Sequence, residues 1–324
     1  MENLVRAICQ KEGLNGRNIR VLSGGQVNQV FLIDGEYVLR IGSREDAFQR
    51  LKHETELMQS LVGKIPVPRI YAFGQQDGLV YQIQQFMPGQ KLYSIWKHLQ
   101  PDVQENIVAE LAAHLKILHS MISPYFGYAR QDTKRYDAWP DFLSDKFKHT
   151  LEEIKALNIR IVPGFLELAV NYFDVHKHVL QDGVPALVHG DLSLVNILVD
   201  NGRISAILDF EYSLQAPLDY ELWVMESFCL YPNDYAEEDN EVFCTADFAS
   251  FIPLLRKHYP GLFETQHLRE RLNIYHLESA LSNYLAWRKD NLSTIPPDRM
   301  AAKEFYMARI TNFIFRHGTR MFLA

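Results

Sequence analysis

One short stretch of this chain carries side chains whose types and spacing suit the movement of a phosphoryl group. It reads Leu187-Val188-His189-Gly190-Asp191-Leu192-Ser193-Leu194-Val195-Asn196-Ile197-Leu198-Val199, and Ile207-Leu208-Asp209-Phe210-Glu211 follows. The pattern is His-x-Asp-x-x-x-x-Asn, then two short apolar runs, then an Asp that closes the second. Phosphoryl transfer asks for one carboxylate at the acceptor hydroxyl, and for oxygen ligands that hold Mg²⁺ against the nucleotide phosphates. Asp191 has the place for the first task, and Asn196 and Asp209 for the second. His189 taken alone reads equally well as a satisfied core histidine, so the assignment rests on the whole set.

Local elements explain how these residues would meet. Ala186-Leu187-Val188 leads into the loop, and Ile197 to Val199 and Ile204 to Leu208 follow as strands. Between those strands lies Asp200-Asn201-Gly202, and an Asn-Gly step is the strongest short hairpin signal. Asn196 and Asp209 then fall at opposite ends of one hairpin, where pairing of its strands brings them together. Upstream, Leu4 to Glu12 has helical spacing, and strands are expected at Ile19–Leu22, Val27–Ile33, Glu36–Ile41, Arg69–Phe73 and Leu79–Phe86. Asp34-Gly35 and Asp77-Gly78 supply two more hairpin turns. The stripe Phe48, Leu51, Leu57, Met58, Leu61 and Val62 makes Glu45 to Val62 a helix, which Pro66 and Pro68 end. The order β-β-β-α-β-β implies a five-stranded antiparallel sheet with one main helix. After Gly89 the pattern is mostly helical, at Val103–Met121, Phe142–Leu157, Leu166–Val179, Leu268–Trp287 and Arg299–Phe315. The fold class is α+β in two lobes, an N-terminal nucleotide lobe over 1–88 and a C-terminal catalytic and substrate lobe over 89–324.

The first lobe offers a nucleotide side. Ser23-Gly24-Gly25-Gln26-Val27-Asn28 lies between the first two strands, and adjacent glycines let backbone approach phosphates closely. Ser23 and Asn28 would add polar contacts, although the same segment also reads as an ordinary hairpin turn. Arg40 ends the third strand, where it would touch phosphates and pair with an acid of the next helix, Glu54 ahead of Glu56. Otherwise it is an exposed strand-end arginine. Val30, Val38, Leu198 and Leu208 are candidate walls for an adenine slot, and Gln85 and Met87 candidate backbone contacts.

Composition narrows the class. The chain has 324 residues, 47% hydrophobic and 23% charged, with a net charge of −7. That balance fits a globular protein with an ample core and argues against a nucleic-acid partner. No apolar run approaches the ~20 residues that span a bilayer. The start, Met1-Glu2-Asn3-Leu4-Val5-Arg6, lacks a signal-peptide core, and Cys9, Cys229 and Cys244 form neither a disulfide framework nor a zinc site. A cytoplasmic protein is expected, as a monomer or weak dimer.

Taken together these segments resemble the aminoglycoside phosphotransferase family, also called choline-kinase-like or antibiotic kinases. The resemblance runs through the Ser23-Gly24-Gly25 loop, Tyr37-Val38-Leu39-Arg40-Ile41, His53-Glu54 and Ile65-Pro66-Val67-Pro68-Arg69-Ile70. It continues through Phe86-Met87-Pro88-Gly89, Leu118-His119-Ser120, and the run from Leu187 to Asp209, which is similar to the hygromycin-type branch. It implies a bilobal protein-kinase-like fold and transfer from ATP, or GTP, with Mg²⁺, to a hydroxyl of a small molecule. By the same carry-over Asp191 is the catalytic carboxylate and Asn196 and Asp209 are metal ligands. His189 and Ser193 support the loop, Glu211 stands near the ions, and Glu221 braces the catalytic loop. Two departures from protein kinases matter: Gly190 and Ser193 replace Arg and Lys, and Phe210-Glu211 replaces Phe-Gly. Both suit a constitutive small-molecule enzyme. Three alternatives share the fold: a kinase of a choline-, homoserine- or sugar-type metabolite, a protein kinase, and a nucleotide-binding scaffold without catalysis. No Ala-Pro-Glu element follows Asp209, which weighs against the second, and Asp191, Asn196 and Asp209 are all present, which weighs against the third.

The acceptor is expected to be cationic. From Ile204 to Leu255 there is no Lys or Arg, whereas acids recur, among them Asp219, Glu226, Asp234, Glu237, Glu238, Asp239, Glu241 and Asp247. A cleft lined by one sign of charge concentrates ligands of the other. The first five are candidate acceptor-binding residues, while the run from Asp234 to Glu241 taken alone reads first as a solvated acidic loop.

Overall fold

The computed structural model describes residues 1–24, 28–42, 46–157, 165–235 and 242–290, with the backbone alone at Ser23, Gly24, Asn28, Phe165, Asp234 and 287–290. The chain opens with α1 (Glu2–Lys11), β1 (Ile19–Gly24), β2 (Asn28–Ile33), β3 (Tyr37–Gly42), α2 (Ala47–Leu61), β4 (Ile70–Gln76) and β5 (Leu79–Gln85). The strands form one five-stranded antiparallel sheet in the order β1-β2-β3-β5-β4. This is the β-β-β-α-β-β pattern expected from the alternation of apolar runs and Asp-Gly turns. Asp77 and Gly78, at φ 50° and 78°, close a two-residue loop, with Gln76 facing Leu79. Val5, Ile8 and Cys9 of α1 bury against Phe31, Ile33, Leu39, Ile41 and Ile83 of the sheet. That small core is separate from the main one. Met58 and Leu61 of α2 join the main core instead, so α2 bridges the sheet and the remainder of the chain.

The rest runs β6 (Gln90–Lys91), α3 (Leu92–Ile95), α4 (Pro101–His119), β7 (Gly127–Tyr128), α5 (Trp139–Ala156), α6 (Phe165–His176) and β8 (Ala186–Val188). It ends with β9 (Ile197–Asp200), β10 (Arg203–Ile207), β11 (Leu214–Ala216), α7 (Asp219–Leu230), α8 (Phe251–His258) and α9 (Leu268–Asp290). Two small sheets, β10-β9-β6 and β7-β11-β8, sit among these helices. The four helices expected over this stretch are α4, α5, α6 and α9, and the helix expected over 299–315 lies outside the described residues. Sequence reasoning missed α7 for a physical reason. From Asp219 to Cys229 every residue except Glu226 is buried, so the helix has no polar face and no amphipathic stripe to read. The strands β6 and β7 have two residues each, too few for a pattern. No helix among the described residues is long and apolar enough to cross a membrane.

Candidate active site

The catalytic loop leaves β8 and turns at Gly190. Its φ is 81°, and a Cβ there would stand 2.3 Å from the Tyr212 carbonyl oxygen. Only glycine permits this approach, so the arginine of protein kinases has no room here. After the turn, Ser193 N–H donates to the Asp191 carbonyl at 2.9 Å and Asn196 N–H to the Ser193 carbonyl at 3.0 Å. Ser193 is buried at 2% exposure and shapes the loop rather than facing the cleft. Asn196 turns its amide nitrogen onto the Asp191 backbone carbonyl (2.8 Å) and carboxylate (3.4 Å), which leaves Oδ1 as its outward oxygen.

The hairpin places the second acid. Asn201 and Gly202 take φ of 48° and 74°, and Asp200 faces Arg203 across the turn. At the open end Leu208 N–H donates to the Asn196 carbonyl at 2.9 Å, so Asp209 is brought beside Asn196 as the turn predicted. Asp209 stands at φ 67° with its side chain 36% exposed. The hairpin is fixed from outside by Ile207 N–H donating to Pro66 O at 2.7 Å and by Ser205 Oγ donating to Pro88 O at 2.5 Å. A Cβ on Gly89 would fall 2.7 Å from Val199 O, which explains glycine after that proline.

Histidine 189 links the two halves. It is fully buried, and burial lowers its pKa, so it is neutral. Its Nε2 donates to Leu208 O at 2.8 Å and its Nδ1 accepts from Asp191 N–H at 3.3 Å, which defines the tautomer. Glu221, also buried, accepts the His189 backbone N–H at 2.6 Å and thereby ties the loop to α7. Burial, then the charges of Asp209 and Glu211, push the Asp191 carboxyl up to about 8, against the Asn196 hydrogen bond. Asp191 is partly buried. Glu211 is 4% exposed, and burial and Asp209 push it up to about 7.

On the sheet side Arg40 is 7% exposed, so it is no surface residue. Its guanidinium donates to Glu54 Oε2 at 2.5 Å and to Asp209 Oδ1 at 3.3 Å. Burial opposes its charge, but Glu54 and Asp209 outweigh burial and raise its pKa. The helix partner is thus Glu54, while Glu56 lies 3.9 Å from Lys52 at the surface. Glu54 also accepts Phe210 N–H at 3.2 Å and Gln82 Nε2 at 3.4 Å. Gln82 escaped sequence reasoning because nothing about a lone amide in β5 announces a partner on α2. Val30, Leu198 and Leu208 are half-buried, and Val38 is 7% exposed. Gln85 and Met87 are half-buried at the end of β5. Gln85 N–H already donates to Arg69 O at 2.8 Å, which leaves only its carbonyl for a base. Gly25 lies outside the described residues, as do the side chains of Ser23 and Asn28.

The donor set suits Mg²⁺. Asn196 Oδ1 and the Asp209 carboxylate are hard oxygens, and the hairpin brings the two residues close together in the fold. Among the described residues no three His, Cys, Asp or Glu side chains converge on one point. Magnesium usually takes one or two protein oxygens and completes its shell with phosphate and water, so two ligands are sufficient.

Residues 18–255 match the family model described as "Phosphotransferase enzyme family". The chain belongs to the phosphotransferase enzyme family. Hygromycin-B 4-O-kinase of Escherichia coli is 24% identical to this phosphotransferase over 210 residues, covering 62% of this chain and 59% of that relative's length. The crystal structure of aminoglycoside phosphotransferase APH(4)-Ia superposes with a TM-score of 0.72 at 18% identity, covering 98% of this chain and 99% of its own. The streptomycin–ATP–APH(2")-IIa ternary complex gives 0.65 at 16%, covering 96% and 95%. At such identities both show the fold.

The phosphotransferase corrects the expectation about acceptor-binding acids. Asp219 does not face an acceptor: it is fully buried, held by Arg271 Nε and Nη2 at 2.7 and 2.9 Å and by Tyr275 OH at 2.9 Å. Glu226 pairs with Arg269 at 2.9 Å and with His276 at 3.3 Å. Asp247 accepts the Cys244 N–H at 2.8 Å. The segment lacks cations of its own because α9 supplies Arg269, Arg271 and His276 from further along the chain. Glu237 and Glu238 lie outside the described residues, as does the side chain of Asp234.

Proposed function

We propose that this phosphotransferase moves the γ-phosphoryl group of ATP, or of GTP, onto a hydroxyl of a small molecule, with aminoglycoside-type acceptors first. The observation that carries the reading is Arg40 bridging Glu54 and Asp209, with Asn196 and the enclosed Asp191 beside them. Residues 1–88 act as the nucleotide lobe and 89–324 as the catalytic and acceptor lobe, in the cytoplasm where nucleotide is available. Ser23, Gly24, Gly25 and Asn28 cover the phosphates. Val30, Val38, Leu198 and Leu208 wall the adenine slot, with the carbonyl of Gln85 and the backbone of Met87 at its edge. Arg40 engages the α- and β-phosphates as a fixed fork. Asn196 and Asp209 would hold Mg²⁺, which would supply positive charge against the phosphates. Asp191 in its ionised form orients the acceptor hydroxyl and takes its proton as the oxygen attacks phosphorus. A carboxylate of raised pKa holds that proton better than an ordinary one.

A neutral metabolite as acceptor is the second reading, favoured by one observation. Asp219 and Glu226 are paired with Arg271 and Arg269 inside the fold, and Asp247 is taken up by the Cys244 backbone, so these acids do not by themselves select a cation. Incubation with γ-labelled ATP and Mg²⁺ against aminoglycosides, amino alcohols and sugars separates the readings. Label on an aminoglycoside supports the first, label on neutral acceptors alone supports the second, and no transfer to any acceptor overturns both.

A further inference from the structure

The peptide units on either side of Asp209 are held by different parts of the fold. Asp209 is a non-glycine residue in the left-handed region, a state that costs of order 1 kcal/mol and persists only where surroundings enforce it. Before it, His189 Nε2 donates to Leu208 O at 2.8 Å. After it, Phe210 N–H donates to Glu54 at 3.2 Å, and Phe210 O accepts from Ser213 N–H at 3.1 Å and Ser213 Oγ at 2.8 Å. Ser213 Oγ lies 2.8 Å from His53 Nε2. A serine hydroxyl has one proton. Since it goes to Phe210 O, His53 must donate from Nε2. Burial, with the positive charge of Arg130 nearby, lowers His53 to about 4, so the ring stays neutral and keeps that tautomer at neutral pH. His53 and Ser213 are 9% and 0% exposed, and the functional reading gives neither a task.

We propose that His53 and Ser213 are positioning residues which, with Glu54, make α2 a two-point clamp on the backbone around Asp209. Glu54 grips the amide of Phe210 and His53, through Ser213, its carbonyl. One helix therefore holds both backbone polar groups of Phe210, the residue that follows the metal ligand, and a shift of α2 moves Asp209 with it. The inference rests on the reading of Asp209 as a Mg²⁺ ligand. His53 also lines a cavity of about 210 Å³ with Gln49, Lys52, Glu56, Gln131 and Asp132, which gives a substituted side chain room to settle.

The test titrates Mg²⁺ against binding of a fluorescent ATP analogue in wild type, His53→Ala, His53→Gln and Ser213→Ala. Residues that orient a metal ligand change metal affinity by about 10–100-fold when lost. The two alanine variants should therefore need about tenfold more Mg²⁺ to tighten the nucleotide, with metal-free nucleotide affinity little changed. Amide exchange at Phe210 and Ser213 in the metal-free protein should quicken in the same two. His53→Gln keeps an amide donor for Ser213 Oγ and should recover most of the loss. If His53→Ala does not fold, Ser213→Ala, which deletes one hydroxyl, decides. Alanine variants of reduced thermal stability that keep the wild-type Mg²⁺ midpoint would leave the pair merely structural and overturn the clamp. Wild type whose nucleotide binding ignores Mg²⁺ would instead remove the metal role of Asp209 and the clamp with it.

Discussion

Asp191 keeps its proton at a pH where an ordinary carboxylic acid has lost it, because burial and two neighbouring acids all penalise its charge. In the unfolded chain an aspartate titrates near pH 4. In the fold Asp191 titrates at about 8. Between those values the folded state binds a proton that the unfolded state has released, so stability falls as pH rises through the window. Glu211, at about 7, adds a loss of the same sign over most of that range. Asp191→Asn removes its share. The variant should melt above wild type at pH 8, with the gap closing towards pH 4, while kcat drops by roughly 10²–10⁴-fold. Melting curves across pH check the first half, and parallel pH slopes for the two proteins would move the raised pKa to another group. Gly190 supplies a second test at this scale. Gly190→Ala sets a Cβ against the Tyr212 carbonyl in a left-handed conformation and should cost about 2 kcal/mol or more in urea unfolding. A neutral result would mean that the loop between Phe210 and Leu214 yields easily.

Between elements, the decisive contact joins β3, α2 and the end of the catalytic hairpin through Arg40. Removing Arg40 leaves the Glu54 carboxylate buried without its cation, a loss of about 3–5 kcal/mol. Arg40→Ala should thus unfold at lower denaturant and bind nucleotide weakly. Pairing it with Glu54→Gln should recover stability but not nucleotide affinity, because only the first property depends on neutralising Glu54. Arg40→Lys should retain part of both, since a point charge reaches one carboxylate where the guanidinium fork reaches two. Urea unfolding and nucleotide titration of the set decide the matter, and parallel recovery of both properties in the double variant would contradict it.

Over the whole molecule, α7 and α9 are locked by one polar network inside the main core. Arg271 takes Asp219 with two nitrogens and Val179 O with the third at 2.8 Å, while Tyr275 accepts Trp139 Nε1 at 3.0 Å. Asp219→Asn should therefore destabilise by about 3 kcal/mol or more by leaving Arg271 buried and unneutralised. The acceptor KM should stay put. A changed KM with an unchanged melting temperature would return Asp219 to the acceptor site.

The local signals of this chain were legible because they depend on neighbours in sequence. Asn201-Gly202 dictates a hairpin, the hairpin brings Asp209 to Asn196, and Asp-Gly steps between apolar runs dictate an antiparallel sheet. The grouping of Asp191, Asn196 and Asp209 was legible for the same reason, since they lie within one loop and one hairpin. Only the tertiary structure decided what depends on partners far away along the chain. It chose Glu54 over Glu56, brought Arg271 to Asp219, set His53 against Ser213, and buried α7 on nearly every side. A run of unpaired acids in sequence is a statement about neighbours. Whether those acids carry free charge depends on which helix packs beside them, and here it is α9 that neutralises Asp219 and Glu226.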